Sequence, residues 1–468
     1  PLALSNAADA VEILSAGYIM TSYRNDDGSE LTGRQKQLLM SSVFFGMLVG
    51  GLCCGALADR VGRRRCLLGA LALNSAFGLL SAAAPTIGWL VAARVAAGVG
   101  VGGSIPVVFT LGAELFPTRV RGALLTVVAS CWMFGAIFSA GAAWLLLGEA
   151  GGAKIVQGAD WRHYAIVAAV PALMAVLAAT RLLPESPRFL LGRGRAKEAA
   201  AVLNRMMSGG IGRPDGVAYW AVNDNGSHTF PSSPPLSQIK LRAGLPSPGA
   251  ERAARRAAAA VASAPASAPE RSMSLAQRAQ SLMAGELART TWVLMAVWFA
   301  LSYGSYGIAT WNNQLFRDFG LGGSSYLSSF LFALANLPGN VVSVLLIERV
   351  GRKPLLAWSM ALAAAAASLF AFAGGGGAAL VVGAAALFNA FSVAGWNCLD
   401  CLSAECFPTS SRTSGMGLVS ACGRAGSIAA QWANGSLESS VPVLLLVTSG
   451  LMLAGALVSL LLPREMKG

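Results

Sequence analysis

Long apolar runs are the feature that most constrains how this chain can fold. A run of about 20 apolar residues crosses a bilayer as an α-helix, which satisfies its own backbone hydrogen bonds there. With 55% hydrophobic and 12% charged residues, the composition excludes an ordinary soluble domain. One run begins at Pro1, and eleven more lie at 37–58, 66–84, 88–113, 122–147, 163–183, 289–311, 325–347, 354–373, 378–402, 413–433 and 441–462. The sequence therefore predicts an all-α membrane protein with twelve transmembrane helices.

Two unlike motifs repeat at nearly the same spacing. Asp59-Arg-Val-Gly-Arg-Arg returns as Glu348-Arg-Val-Gly-Arg-Lys 289 residues later, and Ala113-Glu-Leu-Phe-Pro-Thr returns as Ala404-Glu-Cys-Phe-Pro-Thr 291 residues later. Such a repeat indicates a duplicated chain. We expect two pseudo-symmetric six-helix bundles, residues 1–190 and 287–468, joined by a cytoplasmic linker at 191–286.

The linker differs in composition from both halves. Its first part, 192–207, is basic and rich in Ala, which suits an amphipathic helix on the membrane surface. From 231 to 274 it is rich in Pro, Ser, Ala and Arg. Such a segment buries too little apolar surface to offset the entropy of ordering, so we expect it to be partly disordered.

Basic residues cluster beside one set of helix ends. The turns at 60–65, 119–121, 349–353 and 412 are basic, whereas those at 84–88 and 374–377 carry almost no positive charge. By the positive-inside rule, the N-terminus, the linker and the C-terminus are cytoplasmic. This rule also accounts for the net charge of +13 without a nucleic-acid partner. The membrane is either the plasma membrane or an internal, vesicular one, and we expect a monomer.

The start of the chain lacks an initiator Met and any basic segment before its first apolar run. A signal peptide would show both a basic segment and a small-residue cleavage site. We therefore expect a truncated N-terminus rather than a signal peptide.

Several motifs resemble one transporter superfamily. The acidic-Arg-x-Gly-Arg-basic turns at 59–64 and 348–353 resemble the signature of the major facilitator superfamily, although Glu348 replaces the usual Asp and Pro354 follows. Residues 184–189, PESPRF, resemble the sugar-porter and organic-cation branch. The stretches that begin at Arg94, Trp132 and Trp396 are similar to those of the synaptic vesicle glycoprotein two-like family. The resemblance covers the chain except for about 209–285 and implies transport by alternating access.

Motifs for other functions are missing. The chain lacks the GxxxxGK[ST] phosphate loop of ATP-driven pumps. The glycines at 98–103 lie inside an apolar run without a preceding strand, so they favour close helix packing over a dinucleotide site. All eight cysteines fall in predicted helices or at their ends, and we interpret them as packing residues despite the Cys398-x-x-Cys401 spacing. We expect no enzyme activity, no cofactor and no metal.

Two acids lie three residues apart in the first apolar run. Asp9 and Glu12 share one helix face. An ionisable side chain at the centre of a membrane helix costs at least about 2.5–3.5 kcal/mol, so it needs a partner, water or a function. A carboxylate in a partly dry cavity has a raised affinity for protons, which predicts proton coupling. The alternative is that both acids pair with a neighbouring helix and hold the bundle together.

The tenth run combines aromatic and polar side chains. Trp396, Asn397 and Asp400 place a ring and an acid one helical turn apart, a half-cage for an organic cation or a heteroaromatic ring. In the family that the chain resembles, the residues that match Trp396 and Asp400 line the central cavity, and the one that matches Trp132 faces them. A Trp in a membrane helix can equally be a packing residue or an interfacial anchor.

Two further residues complete the predicted substrate site. Tyr306 lies in the seventh run, where related transporters place cavity-wall and outer-gate aromatics, although an interfacial belt is the alternative reading. Arg424, in the eleventh run, has small neighbours that let its guanidinium reach a cavity, where it would suit a carboxylate. It could equally neutralise Asp400 or Glu405.

Charges beside the basic turns form a second predicted set. In the superfamily, such pairs form and break as the two halves rock around a midplane site. The predicted gate residues are Asp59, Arg60, Arg63, Glu114, Arg121, Glu185, Arg188, Glu348, Arg352 and Glu405.

These features predict a secondary active transporter of a small organic ion, either an organic cation or a nicotinate-like carboxylate. The transporter moves the ion by proton symport, with facilitated diffusion as the alternative mode. Its partners are the substrate, a proton and the lipid bilayer. A sugar or polyol porter is the alternative within transport, although the seventh run lacks the glutamine pair that sugar porters show. A vesicle-type binding protein without flux is the alternative outside it.

Overall fold

The computed structural model describes residues 1–25, 27–116, 120–150, 153–195, 197–199, 201–202, 221–222, 228–229, 282–284, 287–407 and 412–462. Most of the predicted linker at 191–286, including nearly all of its basic, Ala-rich stretch, lies outside the described residues. The side chains of Asp59 and Glu348 lie outside them as well.

In the residues that the structure describes, the first half has six long helices and a short seventh one. A two-stranded antiparallel hairpin, β1 (Glu149–Ala150) and β2 (Ala153–Lys154), joins the fifth and sixth helices. A second small antiparallel pair follows later, β3 (Ala221–Val222) and β4 (His228–Thr229). The helices are α1 (Leu2–Ser22), α2 (Gly33–Val61), α3 (Arg63–Ala82), α4 (Ile87–Leu115), α5 (Arg121–Leu147), α6 (Trp161–Leu182) and α7 (Pro187–Gly192).

The second half repeats this layout with one interruption. Its first helix continues into a π-helical turn at Arg317–Leu321 and a 3-10 turn at Gly322–Ser324, and a 3-10 turn at Ala373–Gly375 follows its fourth. The helices are α8 (Ala288–Phe316), α9 (Ser325–Leu334), α10 (Asn336–Val350), α11 (Arg352–Phe372), α12 (Ala378–Cys406), α13 (Arg412–Ser436) and α14 (Val441–Ser459).

The run predicted at 325–347 is interrupted at Ala335, between α9 and α10. Pro338 has no backbone N–H to donate to the preceding turn. The side-chain amide of Asn389 on α12 donates to the carbonyl oxygen of Phe332 at 2.7 Å, and that of Asn336 donates to Ala333 at 2.9 Å. Side-chain donors thus satisfy carbonyl groups beside the break.

The twelve-helix membrane fold is confirmed. In the described part of the chain, ten helical segments are long and apolar enough to cross a membrane. The other two, α1 and α13, have 21 and 25 residues, and each carries buried polar side chains such as Asn6, Asp9 and Glu12 or Gln431 and Asn434. Polar groups on these helices have partners inside the protein, which is how a membrane bundle accommodates them.

The sequence repeat is also a structural repeat. Gly62 ends α2 with φ 113° and ψ 145°, and Gly351 ends α10 with φ 94° and ψ 156°. Residues with a side chain rarely adopt this conformation, so both turns require glycine. We call the end of the molecule that carries these two turns the basic end.

Glycines bring α2 and α4 into backbone contact. A Cβ added at Gly98 would lie 2.3 Å from the carbonyl oxygen of Val43, and one at Gly102 would lie 2.1 Å from that of Met47. Neither position has room for a side chain. The packing interpretation of the glycine run at 98–103 is therefore confirmed.

The two halves meet along two seams. In the first, between α2 and α13, Gln37 donates to the Trp432 carbonyl at 3.0 Å, and Lys36 forms an ion pair with Glu438. In the second, between α5 and α9, the rings of Trp144 and Phe330 stack with centroids 5.5 Å apart. Between these seams, α1 and α8 also touch and bring the residues of the candidate site together.

Candidate functional site

Tyr306 on α8 lies at the centre of a cluster of aromatic rings from both halves. Its ring centroid is 5.2 Å from that of Phe44 on α2, 6.4 Å from Trp132 on α5 and 5.8 Å from Trp396 on α12. We call these four residues the aromatic cluster. The structure thus brings together the three aromatic residues that the sequence predicted for the site and adds Phe44.

Arg424 on α13 contacts this cluster. Its guanidinium carbon lies 5.7 Å from the Tyr306 ring centroid, and its Nη1 is 3.5 Å from the Tyr306 hydroxyl oxygen. The same cation interacts electrostatically with Asp400 on α12 and with Asp9 on α1. The charge of Arg424 therefore acts on an acid of each half from beside the aromatic cluster. Glu405, the other partner considered from sequence, pairs with Arg352 at 3.3 Å.

Asp9 is fully buried on α1 and is held by uncharged donors. The hydroxyl of Ser104 donates to its Oδ2 at 2.7 Å, and the amide of Asn74 is 3.5 Å from its Oδ1. These donors come from α4 and α3, so the carboxylate faces its own half as well as Arg424. Such a group can exist charged or protonated while keeping its hydrogen-bonding neighbours.

Glu12 has a different environment one turn further along α1. Arg94 on α4 donates from Nη1 to its Oε1 at 2.7 Å and to the Ser15 hydroxyl at 2.9 Å. Glu12 and Arg94 are only 2% and 1% exposed. A Cβ added at Gly78 would lie 3.3 Å from Glu12 Oε2, which shows that this carboxylate points into the first half. Glu12 is thus neutralised by a fixed cation, as the bundle-holding alternative expected.

The pairing of Arg94 escaped the sequence analysis. Arg94 and Glu12 are 82 residues apart, and the motif around Arg94 was read only for its resemblance to a family. A signal was present, since an arginine inside an apolar helix requires an acid nearby. The sequence offers both Asp9 and Glu12 as that acid, and only the packing of α1 against α4 decides between them.

Asn397 lies next to Trp396 in sequence but faces α10. Its amide donates to Asn340 Oδ1 at 2.7 Å and to the Ser343 hydroxyl at 2.6 Å. The Asn340 amide in turn donates to Ser130 on α5 at 3.1 Å. These bonds fix the face of α12 that carries the ring of Trp396, and they connect it to the first half.

Matching ion pairs occur at the basic end of the two halves. Arg63 Nε lies 3.5 Å from Glu114 Oε2, and Arg352 Nε lies 3.3 Å from Glu405 Oε1. Each pair joins the residue after the turn glycine to the acid near the end of the helix that packs beside it. The sequence repeat therefore places equivalent charges in equivalent positions.

Four other predicted gate residues lie at the same end. Glu185 Oε1 accepts from the backbone N–H of Arg64 at 3.0 Å, and Arg121 Nη2 is 3.5 Å from the Phe116 carbonyl oxygen. The backbone carbonyl of Arg60 accepts from Arg193, while the Arg60 and Arg188 side chains are exposed.

Other features of the sequence can be placed as well. None of the eight cysteines, all of which lie in the described part of the chain, forms a disulfide bond. Among the described residues, no group of three or more His, Cys, Asp or Glu side chains could hold a metal ion. Asn434, in an Asn-Gly-Ser glycosylation sequence, is 1% exposed, and its amide donates to the Gly307 carbonyl at 2.9 Å. That amide is therefore committed to an interhelical hydrogen bond.

Comparison with known proteins adds three findings. A family model described as "Sugar (and other) transporter" matches residues 10–216 and 245–468. Synaptic vesicle glycoprotein 2A of Rattus norvegicus is 25% identical, with 90% of this chain and 70% of the relative covered. Synaptic vesicle glycoprotein 2C of Homo sapiens is 26% identical, with 99% of this chain and 77% of the relative covered.

Solved structures show a similar fold. The partially occluded inward-open form of the xylose transporter XylE from E. coli superposes with a TM-score of 0.71 at 17% identity, covering 100% of this chain and 96% of the other. Its inward-open form gives a TM-score of 0.70 with the same coverage. The likeness extends over both halves and concerns the fold.

Proposed function

This chain belongs to the sugar (and other) transporter family of the major facilitator superfamily, and we propose that it is a secondary active transporter of a small organic ion. It is a multi-pass membrane protein. Our proposal adds that the bundles at 1–190 and 287–468 move as units around the aromatic cluster, with the basic end in the cytoplasm.

One observation carries the proposal for the substrate site. Aromatic rings from both halves converge on Tyr306, with Arg424 beside them and Asp400 within its electrostatic reach. Ring faces attract organic cations, and an acid beside them supplies the counter-charge. A site shared by both halves also changes its geometry when the halves rock. We therefore propose that the substrate lies against Trp132, Tyr306 and Trp396, near Asp400 and Arg424, and that Asn397 positions the ring of Trp396.

Proton coupling is proposed for Asp9. Its uncharged donors, Ser104 and Asn74, leave it free to take up a proton, whereas Glu12 forms a direct ion pair with Arg94. Protonation of Glu12 would leave the Arg94 cation buried without its counter-charge, at a large energetic cost. We assign Glu12 a structural role beside Asp9, the proton-carrying acid.

The charges at the basic end are proposed as the cytoplasmic gate. Arg63 with Glu114 and Arg352 with Glu405 hold neighbouring helices of each half together, so they can stabilise one arrangement of the halves over another. Partly exposed pairs of this kind are worth up to about 1 kcal/mol each, which suits contacts at a surface that rearranges during the cycle. The same role is proposed for Asp59, Arg60, Arg121, Glu185, Arg188 and Glu348.

Uptake into proteoliposomes tests the proposal. The full chain is reconstituted, and labelled tetraethylammonium, nicotinate and glucose are offered with and without a proton gradient. We expect saturable uptake of an organic ion that responds to the gradient. Uptake of glucose alone would favour a sugar porter, for which the family description and the xylose transporter fold speak.

The experiment also tests whether the protein binds its ligand without transporting it. If none of the three compounds accumulates but one of them still raises the melting temperature, the protein is a binding protein. The relatives named above are synaptic vesicle glycoproteins, and this similarity is the reason for the second candidate function, a binding protein without transport.

A further inference from the structure

The two halves contact each other directly at the end of the molecule opposite the basic end. We call this the outer end. There α1 ends at Ser22, and the turns Arg317–Leu321 and Gly322–Ser324 connect α8 to α9. A Cβ added at Gly17 would lie 2.0 Å from the Thr310 carbonyl oxygen, so the backbones of α1 and α8 touch close to this end. The matching ion pairs of the basic end, in contrast, each join helices of a single half.

Thr21, near the end of α1, lies at the centre of this contact and is 2% exposed. The Asn313 amide on α8 donates to its hydroxyl oxygen at 2.7 Å, and Arg317 Nη1 donates to its carbonyl oxygen at 2.8 Å. The Arg317 guanidinium also lies 5.4 Å from the ring centroid of Tyr326 on α9, whose hydroxyl is hydrogen-bonded to that of Ser22. Side chains of the second half thus hold the last turn of α1, which belongs to the first.

Two arginines, one from each half, bind the same carbonyl group. The last carbonyl groups of a helix have no partner within it and carry partial negative charge, which attracts cations. The last turn of α1 contains no basic residue. Arg24, just beyond it, donates from Nη1 to the carbonyl oxygens of Thr21 at 3.1 Å and Tyr23 at 2.9 Å. Arg24 and Arg317 therefore share the Thr21 carbonyl.

We propose that Arg317 is a latch that controls access to the substrate site from the outer end. While Arg317 binds the C-terminus of α1, it keeps the halves together at this end. When the halves separate there, Arg317 leaves with the second half, and Arg24 alone caps the helix. The Thr21 carbonyl has a cationic partner in both arrangements, so the latch opens without leaving it unpaired. This inference rests on the proposed function, in which the two halves move around the aromatic cluster.

The chain between Arg317 and Tyr326 is irregular. Its π-helical and 3-10 turns contain Gly320 with φ 82° and Gly322 with φ 25°. Residues with a side chain rarely adopt such angles. Single π-helical turns are frequent at functional sites, because they interrupt the regular hydrogen bonds of a helix. The irregular segment allows Arg317 on one side and Tyr326 on the other to shift relative to each other when the contact with α1 breaks.

Labelling of a buried cysteine measures how often the outer end opens. Ser329 on α9 is fully buried, and its hydroxyl lies 3.4 Å from the side-chain oxygen of Asn313, directly behind the contact between Asn313 and Thr21. Ser329→Cys is introduced into the full chain, and the solubilised protein is treated with a bulky maleimide. The wild-type chain, treated in parallel, gives the background from its eight cysteines.

Arg317→Gln, in the Ser329→Cys background, removes the charge of the latch. Hydrogen bonds from a charged donor are stronger than neutral ones, so we expect labelling to become about tenfold faster. Arg317→Lys keeps the cation and should recover most of the slow rate. Arg24→Gln is the matched control, because it removes a guanidinium from the same carbonyl group without disconnecting the halves, and it should leave the rate unchanged. The latch is overturned if Arg317→Gln does not speed up labelling, or if Arg24→Gln speeds it up as much.

Thr21→Val weakens the same contact without changing a charge. It removes the hydroxyl that accepts from Asn313, and we expect labelling to become about threefold faster. The melting temperature of each variant shows whether it is folded. Should Arg317→Gln fail to fold, Thr21→Val decides the question: faster labelling supports the latch, and an unchanged rate overturns it.

The labelling rate needs no substrate, so it separates this inference from the proposed function. Intact uptake with an unchanged labelling rate in Arg317→Gln would overturn the latch and leave transport standing. If no probe shows flux but labelling is faster in Arg317→Gln and not in Arg24→Gln, transport fails as the function, and the latch between the halves is supported.

Discussion

The two halves of this protein are alike at the basic end and different around the aromatic cluster. Arg63 with Glu114 and Arg352 with Glu405 occupy matching places, next to glycines with matching backbone angles. Around the aromatic cluster, the first half carries the buried acids of α1, which have no equivalent on α8, whereas the second half carries Arg424 and Asp400.

This difference suggests how the two halves divide their work. Equivalent charges at the basic end can take part in a motion that both halves perform in the same way. Substrate binding does not require the two halves to be equivalent, because each half contacts a different part of one substrate molecule. We therefore interpret the basic end as the part that drives the motion and the region around the aromatic cluster as the part that binds. There the first half supplies the proton site, each half supplies two rings, and the second half adds Arg424.

The strongest test of this division compares the two acids of α1. Arg94→Met leaves the Glu12 carboxylate buried without its cation, so we expect the free energy of unfolding to fall by about 3–5 kcal/mol. Asp9→Asn keeps a side chain that Ser104 can still donate to, and it should cost about 1 kcal/mol or less. Denaturant unfolding of the purified protein in detergent measures both.

The double variant Glu12→Gln with Arg94→Met removes both buried charges and should recover much of the loss. If Asp9→Asn destabilises the protein as strongly as Arg94→Met, the two acids have the same structural role. The assignment of the proton to Asp9 would then be wrong.

The second test concerns the rings of the second half. Trp396→Ala removes one wall of the aromatic cluster, so we expect the affinity for tetraethylammonium to weaken about tenfold, equivalent to about 1.4 kcal/mol. Thermal stabilisation by the cation measures this affinity. Trp358→Ala is the control, because Trp358 is 66% exposed on α11. Equal affinities for Trp396→Ala and the wild type would place the substrate elsewhere.

Sequence predicted the fold well because its signals are local. A helix that crosses the membrane must be apolar along its own length, and every predicted run coincides with a helix or, at 325–347, with two. The duplication could be recognised from sequence because both motifs lie in turns or at helix ends, where charged residues and glycine mark the end of a helix. The break at Ala335 was missed although Pro338 follows it closely. The donor that satisfies the Phe332 carbonyl there, Asn389, lies on another helix and could not be assigned from the sequence.

Sequence predicted which residues lie in the site better than it predicted which of them contact one another. Trp132, Tyr306 and Trp396 do converge, but Phe44 on α2 had no distinguishing feature in an apolar run. The separation of Asp9 from Glu12 depends on which acid Arg94 reaches, and that is set by the packing of α1, α3 and α4. Pairings between distant helices belong to the tertiary structure, so composition and spacing cannot supply them.

The smallest expected effect concerns the matching pairs at the basic end. Arg63→Gln and Arg352→Gln should each change the initial rate of uptake, because each pair stabilises one arrangement of the halves by up to about 1 kcal/mol, or roughly fivefold. The side chains of Arg63 and Glu114 are 17% and 11% exposed, against 30% and 51% for Arg352 and Glu405. Because water screens the second pair more strongly, we expect the larger change in Arg63→Gln. Reversing the second pair, as Arg352→Glu with Glu405→Arg, should restore the rate that Arg352→Gln loses. A larger effect of Arg352→Gln would contradict this expectation and show that the Arg352–Glu405 pair contributes more to the transport cycle than the Arg63–Glu114 pair.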